Sequence, residues 1–211
     1  MNLLSNKLPT ILTDLQHQVL VGSLLGDLHM SLDGINPRIK IDRQFKDKEY
    51  LNWQYNIFKD FCKSGIKEIT RFDKRYNKNY HYVSFRTRSV PVFLKYYHQW
   101  YKNKIKIIPH NLVLTPMILA VWFCDDGCII RNKNALVLKL STESFGFEGT
   151  KLLSDKLEQR FNCKFPIYKK HKNKDQYIIK TATKSAKLFM EDIENIIKIN
   201  GMIRKYNIWK K

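Results

Sequence analysis

The chain has 211 residues, in which 38 Lys and Arg against 19 Asp and Glu leave a formal charge of +19. A hydrophobic content of 44% is ordinary for a folded protein and excludes a disordered basic tail, while a sequence pI of about 9.8 points to a polyanionic partner. The longest apolar stretches, VLVGSLLG (19–26) and MILAVWFC (117–124), are eight residues each, against the roughly 20 that a bilayer-spanning helix needs.

The first elements follow from caps and periodicity. Thr13-Asp14-Leu15-Gln16 fits a capping box, and an apolar helix runs from there to about Asp27. Arg38 to Asp42 alternates as a half-buried strand. Tyr50, Leu51, Tyr55, Phe58 and Phe61 recur at helical spacing over 47–62. Strands are expected near 67–75 and 80–87 around the Asn77-Lys78-Asn79 turn. A helix then starts near Ser89, with Pro91 in its first turn.

Beyond a connecting segment at 104–114, Thr115 reads as an N-cap and Pro116 as the first helical residue. A strand at 135–142, a helix at 147–161, strands near 165–170 and 176–182 and a closing helix at 184–199 follow. Short matches recur at a nearly constant offset: Asp27 and Asp126 are 99 residues apart, KDFCK around Cys62 answers RFNCK around Cys163 at 101, and RSVPVF answers KSAKLF at 96. Residues 1–103 and 115–211 therefore read as divergent copies of one α-β-β-α-β-β-α unit. The fold class is α+β.

The strands carry much of the charge. Arg38, Lys40, Asp42 and Gln44 share one side of their strand, as do Tyr80, Tyr82, Ser84 and Arg86 of theirs. Arg71, Arg75, Lys139, Lys169, Lys170, Lys172 and Lys180 extend this basic set over the other strands and turns. Such a face suits phosphates and base edges. Strands of ~6–8 residues span ~6–8 base pairs of B-DNA, whereas the narrow major groove of RNA excludes side chains.

Both long apolar runs end in acid, at Asp27 and at Asp125-Asp126-Gly127. A carboxylate at a helix C-terminus is electrostatically disfavoured unless a cation compensates it, and here the arrangement occurs twice. Gly22 and Gly26, and likewise Ala120 and Cys124, are four apart, a spacing of small residues that lets helices approach closely. If these helices pack together, their carboxylates meet, and a hard divalent cation such as Mg²⁺ is the natural counter-ion. Two acids, a metal and a DNA-binding face imply phosphodiester hydrolysis.

LVGSLLGD (20–27) and LAVWFCDDG (119–127), with IPHNLVLTPMILAVWFCDDG (108–127) and STESFGFEG (141–149), resemble the two motifs and flanking segments of the monomeric LAGLIDADG homing endonucleases. The first motif departs from the eponymous pattern at Ser23, Leu25 and Leu28. The resemblance implies two pseudo-symmetric αββαββα halves forming a saddle of antiparallel sheets over double-stranded DNA. It implies that Asp27 and Asp126 bind metal, Mg²⁺ or Mn²⁺, with the backbone carbonyls of Gly26 and Asp125 as further ligands. Each Asp then serves one strand of a double-strand break with short 3′ overhangs. By position, Lys106 and Lys205, also 99 apart, are the basic residues of the two centres. An intron RNA maturase and a non-cleaving DNA-binding protein are the alternatives on the same scaffold.

Two further expectations concern context. Cys62, Cys124, Cys128 and Cys163 are too few for a disulfide framework and lack a zinc-site spacing, so reduced, mostly buried thiols are expected. The N-terminal MNLLSNKLPTILTD does not read as a secretory signal. Ile, Lys, Asn, Tyr and Phe supply 90 of the 211 residues, a bias that AT-rich codons produce. A mitochondrion or other organelle, or the cytoplasm of an AT-rich microbe, is the expected setting.

Overall fold

The computed structural model describes residues 8–32, 34–132 and 135–210. Its internal contacts divide the chain into two compact units, Met1–His17 with Leu28–Tyr97 and Gln18–Asp27 with His98–Lys211. Helix α1 (Asp14–Leu25) contributes its first turn to one unit and the rest to the other. Its start is the expected capping box: the Gln16 N–H donates to Thr13 Oγ1 (3.2 Å) and the Thr13 N–H to Gln16 Oε1 (3.0 Å).

In the first unit, β1 (His29–Leu32), β2 (Pro37–Gln44), α2 (Lys48–Phe58), β3 (Lys67–Asp73), β4 (Lys78–Arg86) and α3 (Leu94–Trp100) follow in order. The strands form an antiparallel sheet in the order β1-β2-β4-β3. β2 alternates buried and half-buried positions along its length, so Ile39 and Ile41 join Val83 and Phe85 in the core beneath Tyr50, Leu51 and Phe58 of α2. Arg43 points inward as well. Its guanidinium lies 4.4 Å over the Tyr50 ring and its Nε donates to Gln54 Oε1 at 2.9 Å, so this buried cation is partnered.

After α3, the second unit has a hairpin of β5 (Tyr101–Lys102) and β6 (Ile105–Lys106), which straddles the start of the connecting segment expected at 104–114. Asn103 and Lys104 both have positive φ, 51° and 63°, as a two-residue type I′ hairpin demands. Helix α4 (Pro116–Asp126) is buried from Ile118 to Cys124, which marks a helix apolar all round as a core element. Its cap is Thr115, whose Oγ1 accepts from the Ile118 N–H at 3.3 Å and donates to Gln18 Oε1 at 2.6 Å. Then come β7 (Gly127–Asn132), β8 (Ala135–Ser141), α5 (Gly146–Phe161), β9 (Ile167–Lys169), β10 (Tyr177–Ala182), α6 (Thr183–Ile193) and α7 (Asn200–Lys210). The sheet order is β7-β8-β10-β9, the topology of the first sheet repeated.

Three expectations change. The closing helix expected over 184–199 is two helices, because α6 stops at Ile193 and α7 follows. The intervening ENIIKI (194–199) holds β-branched Ile and an Asn, weak helix formers, and its Ile197 is buried while Met202 and Tyr206 anchor α7. None of the four cysteines is in a disulfide, but only Cys124 is buried and Cys128 is exposed. Finally, Ala120 and Cys124 are not the stripe of α4 that meets Gly22 and Gly26.

Candidate active site

The stripe that meets the glycines is Ile118, Val121 and Asp125. A Cβ on Gly22 would lie 2.6 Å from Val121 Cβ and 2.8 Å from Ile118 O, and one on Gly26 would lie 2.7 Å from Asp125 Oδ2. One glycine row is enough to bring the two backbones together, so α4 needs no small residues of its own. Gly127 has an extended backbone rather than a left-handed one; its lack of a side chain matters because a Cβ there would run into Phe123.

This contact brings the ends of α1 and α4 side by side. The Asp27 N–H donates to Asp125 Oδ2 at 3.3 Å. Lys106 Nζ, at the end of β6, donates to the Gly26 carbonyl at 3.2 Å. Lys205 Nζ, on α7, donates to the carbonyls of Phe123 (3.2 Å), Asp125 (3.2 Å) and Gly127 (3.1 Å), and to that of Cys124. Each motif helix thus has a lysine on its C-terminal carbonyls, where orphan acceptors and the negative end of the dipole both favour a cation.

The electrostatics are strained by crowding. Burial, then the carboxylates of Asp27 and Asp125, push the Asp126 acid up to about 7 in spite of Lys205. Burial holds the Lys106 ammonium below its ordinary value, and Asp126, Asp125 and Asp27 pull against that shift. Among the described residues, no group of three or more His, Cys, Asp and Glu forms a ready-made metal cage. The expected ligands are hard oxygens, the carboxylates of Asp27 and Asp126, of which the first raises the second, and the carbonyls of Gly26 and Asp125, each of which accepts from a lysine. Such a set fits Mg²⁺, which keeps several waters and takes one or two carboxylates together with substrate phosphate. Although Lys106 and Lys205 already donate to these carbonyls, each carbonyl oxygen has a second lone pair.

Asp125 is the contributor that motif reading leaves out. Its expected share was a backbone carbonyl, yet its side chain reaches the Asp27 backbone. The signal for this was present in the sequence, since the residue matching Asp125 in the first motif is Gly26, with no side chain to compete for the space.

On the first sheet the register places Lys40 beside Arg86, Asp42 beside Ser84, Gln44 beside Tyr82, and Arg71 beside Tyr80, all on the face opposite the core, with Arg38 two residues from Lys40. Asp42 organises it: Lys40 Nζ (2.7 Å) and an Arg71 guanidinium nitrogen (3.0 Å) both donate to its Oδ2, and Arg71 sits 5.1 Å over the Tyr82 ring. Arg75 lies just beyond β3 and pairs with Asp73 at 2.7 Å. On the second sheet Lys139 pairs with Lys180. Lys169 departs from expectation. It pairs with Tyr177 in the same parity as Ile167 with buried Ile179, so the two-residue period turns it away from the Lys180 face. Lys170 forms an ion pair with Glu143 at 2.6 Å, and Lys172 is exposed in the turn before β10.

Two acid-ending motif helices, each running directly into a four-stranded antiparallel sheet, agree with the comparison to known families. The model of the LAGLIDADG DNA endonuclease family matches residues 17–189, and the chain belongs to that family. Over 174 residues, 76% of this chain, it is 31% identical to the cytochrome b mRNA maturase bI2 of Saccharomyces cerevisiae, and it spans 40% of that protein's length. It is 28% identical over 171 residues to the DNA endonuclease I-ChuI of Chlamydomonas applanata, covering 75% of this chain and 78% of that one. Among solved structures, the homing endonuclease I-WcaI bound to its DNA recognition sequence superposes with a TM-score of 0.83 at 25% identity, over 92% of this chain and 87% of the other.

Proposed function

We propose that the chain is a sequence-specific homing endonuclease that hydrolyses one phosphodiester in each strand of a long double-stranded DNA target, with Mg²⁺ or another divalent cation, and leaves short 3′ overhangs. The observation that carries this reading is the meeting of two motif-helix ends, where the Asp27 N–H donates to Asp125, Asp27 adds to the charge that raises Asp126, and a lysine sits at each end. Asp27, Asp126 and the Gly26 and Asp125 carbonyls would hold a divalent cation, which would supply positive charge to the phosphate and lower the pKa of water. The two carboxylates fix where that charge sits, one for each strand. Lys106 and Lys205 set an ammonium beside each, to stabilise developing charge on the phosphate or polarise the attacking water. The sheets supply the DNA contacts, through Arg38, Lys40, Gln44, Arg71, Tyr80, Tyr82, Arg86, Lys139 and Lys180 on their outward faces and Arg75, Lys170 and Lys172 at their margins. The chain acts as a monomer, since both acids belong to it.

Asp27→Asn and Asp126→Asn are expected to bind target duplex and to lose double-strand cutting. Full cleavage by both variants would remove these acids from the chemistry. The likeness to a protein named a maturase supports a second reading, binding of intron RNA. Specific retention of the host intron transcript by a chain that makes no cut in the matching DNA would favour it.

A further inference from the structure

The two sheets share a topology but not an outward face. Two residues beyond each motif acid the rows match: His29, Lys40 and Arg86 on the first sheet, Cys128, Lys139 and Lys180 on the second. On either side of this row the chemistry diverges. Where the first sheet pairs Ser31 with Arg38, the second aligns Ile130, Val137 and Ala182. Where the first aligns Asp42, Ser84 and Lys67, the second aligns Ser141, Ile178 and Tyr168. Ile130, Ala182, Ile178 and Tyr168 are on the side away from Leu136, Leu138 and Leu140, which form the core, while Val137 between them is itself buried. Ile130 is 41% and Tyr168 49% exposed.

We propose that the outward face of the second sheet recognises thymine methyl groups in the major groove, so that one half of the target is A·T-rich and read by van der Waals contact. This deepens the endonuclease reading and rests on it. Branched aliphatic side chains cannot pair with donors and acceptors on base edges, but the C5-methyl of thymine is the one apolar group the major groove presents. DNA is favoured as the occupant by charge. The strip is crossed by the Lys139–Lys180 pair and bordered by Lys170 and Lys172, cations suited to phosphates rather than to an apolar partner protein. Rows two residues apart are ~6.7 Å apart, about two base pairs, so three rows cover roughly four to six. The first sheet, with Asp42 holding Lys40 and Arg71, reads its half by hydrogen bonds.

The test is selection of bound duplexes from a randomised DNA pool with the full chain, followed by synthesis of the selected site with deoxyuridine in place of thymidine in one half at a time. The expected site has a run of A·T pairs in one half. Uracil there weakens binding roughly fourfold for each contacted methyl, whereas uracil in the other half changes it less than twofold. Ile130→Ser with Ile178→Ser should abolish the penalty. Equal tolerance of uracil in both halves overturns the proposal while leaving specific DNA recognition intact. So does a concentration-dependent dimer, seen by sedimentation and dissociated by Ile130→Asp, which would mean that a second copy covers the strip. Failure to select any site overturns this inference and the endonuclease reading together.

Discussion

Replacing Gly22 by alanine sets two effects of opposite sign against each other. In an isolated helix the change is favourable by about 1 kcal/mol. In this protein the new methyl would sit 2.6 Å from Val121 Cβ and 2.8 Å from the Ile118 carbonyl oxygen, against ordinary carbon contacts of about 3.5–4.0 Å. Neither neighbour can swing away, because one is backbone and the other is a β-branched residue buried in the same helix. The helices must therefore part by about 1 Å, and overpacking of this kind costs about 1–3 kcal/mol. With the site at the end of the contact, the upper part of that range is expected, leaving Gly22→Ala about 2 kcal/mol less stable after the propensity gain. For a domain of this size that is a melting temperature lower by ~4–8 °C. A 1 Å displacement of catalytic groups costs on the order of a hundredfold in rate, so cleavage should fall by far more than stability does. Circular-dichroism melts and single-turnover cleavage of target duplex measure the two. A variant that melts at or above the wild-type temperature would refute the close-contact argument.

Three further outcomes are expected. The native chain holds a proton on Asp126 that the unfolded chain releases from about pH 4 upward, because the acid is raised from 3.8 to about 7; stability is lost as pH rises through that window, so Asp126→Asn should melt higher than wild type at pH 8 in metal-free buffer and nearly equally at pH 4. Lys205→Met strips the donor from the carbonyls at the end of α4 and should cost about 1–3 kcal/mol in chemical denaturation, with cleavage slowed and Lys205→Arg partly restoring both. Binding should weaken linearly on a log–log plot against salt, and Lys180→Gln should reduce that slope by about one if Lys180 meets a phosphate; an unchanged slope in filter-binding titrations would take it off the phosphate backbone.

The motif helices, their caps and the antiparallel sheets are legible from local signals. Thr13 with Gln16, and Thr115 with Pro116, are short-range patterns whose physics is complete within a few residues. Ile39 and Ile41 alternate with Lys40 and Asp42 for the same reason. Three features are not local. The break after Ile193 depends on Ile197 finding a buried position that competes with helix propensity. The side of α4 that meets Gly22 is decided by packing, since a helix apolar all round offers no pattern for choosing one face. The orientation of Lys169 turns on strand register, which a run of lysines leaves undetermined. The Asp125 side chain lies between these cases, because the Gly26–Asp125 asymmetry is visible in the sequence but its hydrogen bond to Asp27 is not.

Lys205 gives the site a dependence on time as well as on geometry. Asp27 and Lys205 lie near opposite ends of the chain, and at ribosomal rates of ~5–20 residues per second the lysine emerges on the order of ten seconds or more after the first acid. Once α4 has emerged and until Lys205 follows it, the carbonyls at the end of α4 lack their ammonium, and the carboxylates crowd one another without that counter-charge. A nascent or prematurely terminated chain can thus display basic sheets before its cutting centre is complete. On the proposed function, holding DNA and breaking it become separate stages in the birth of one polypeptide.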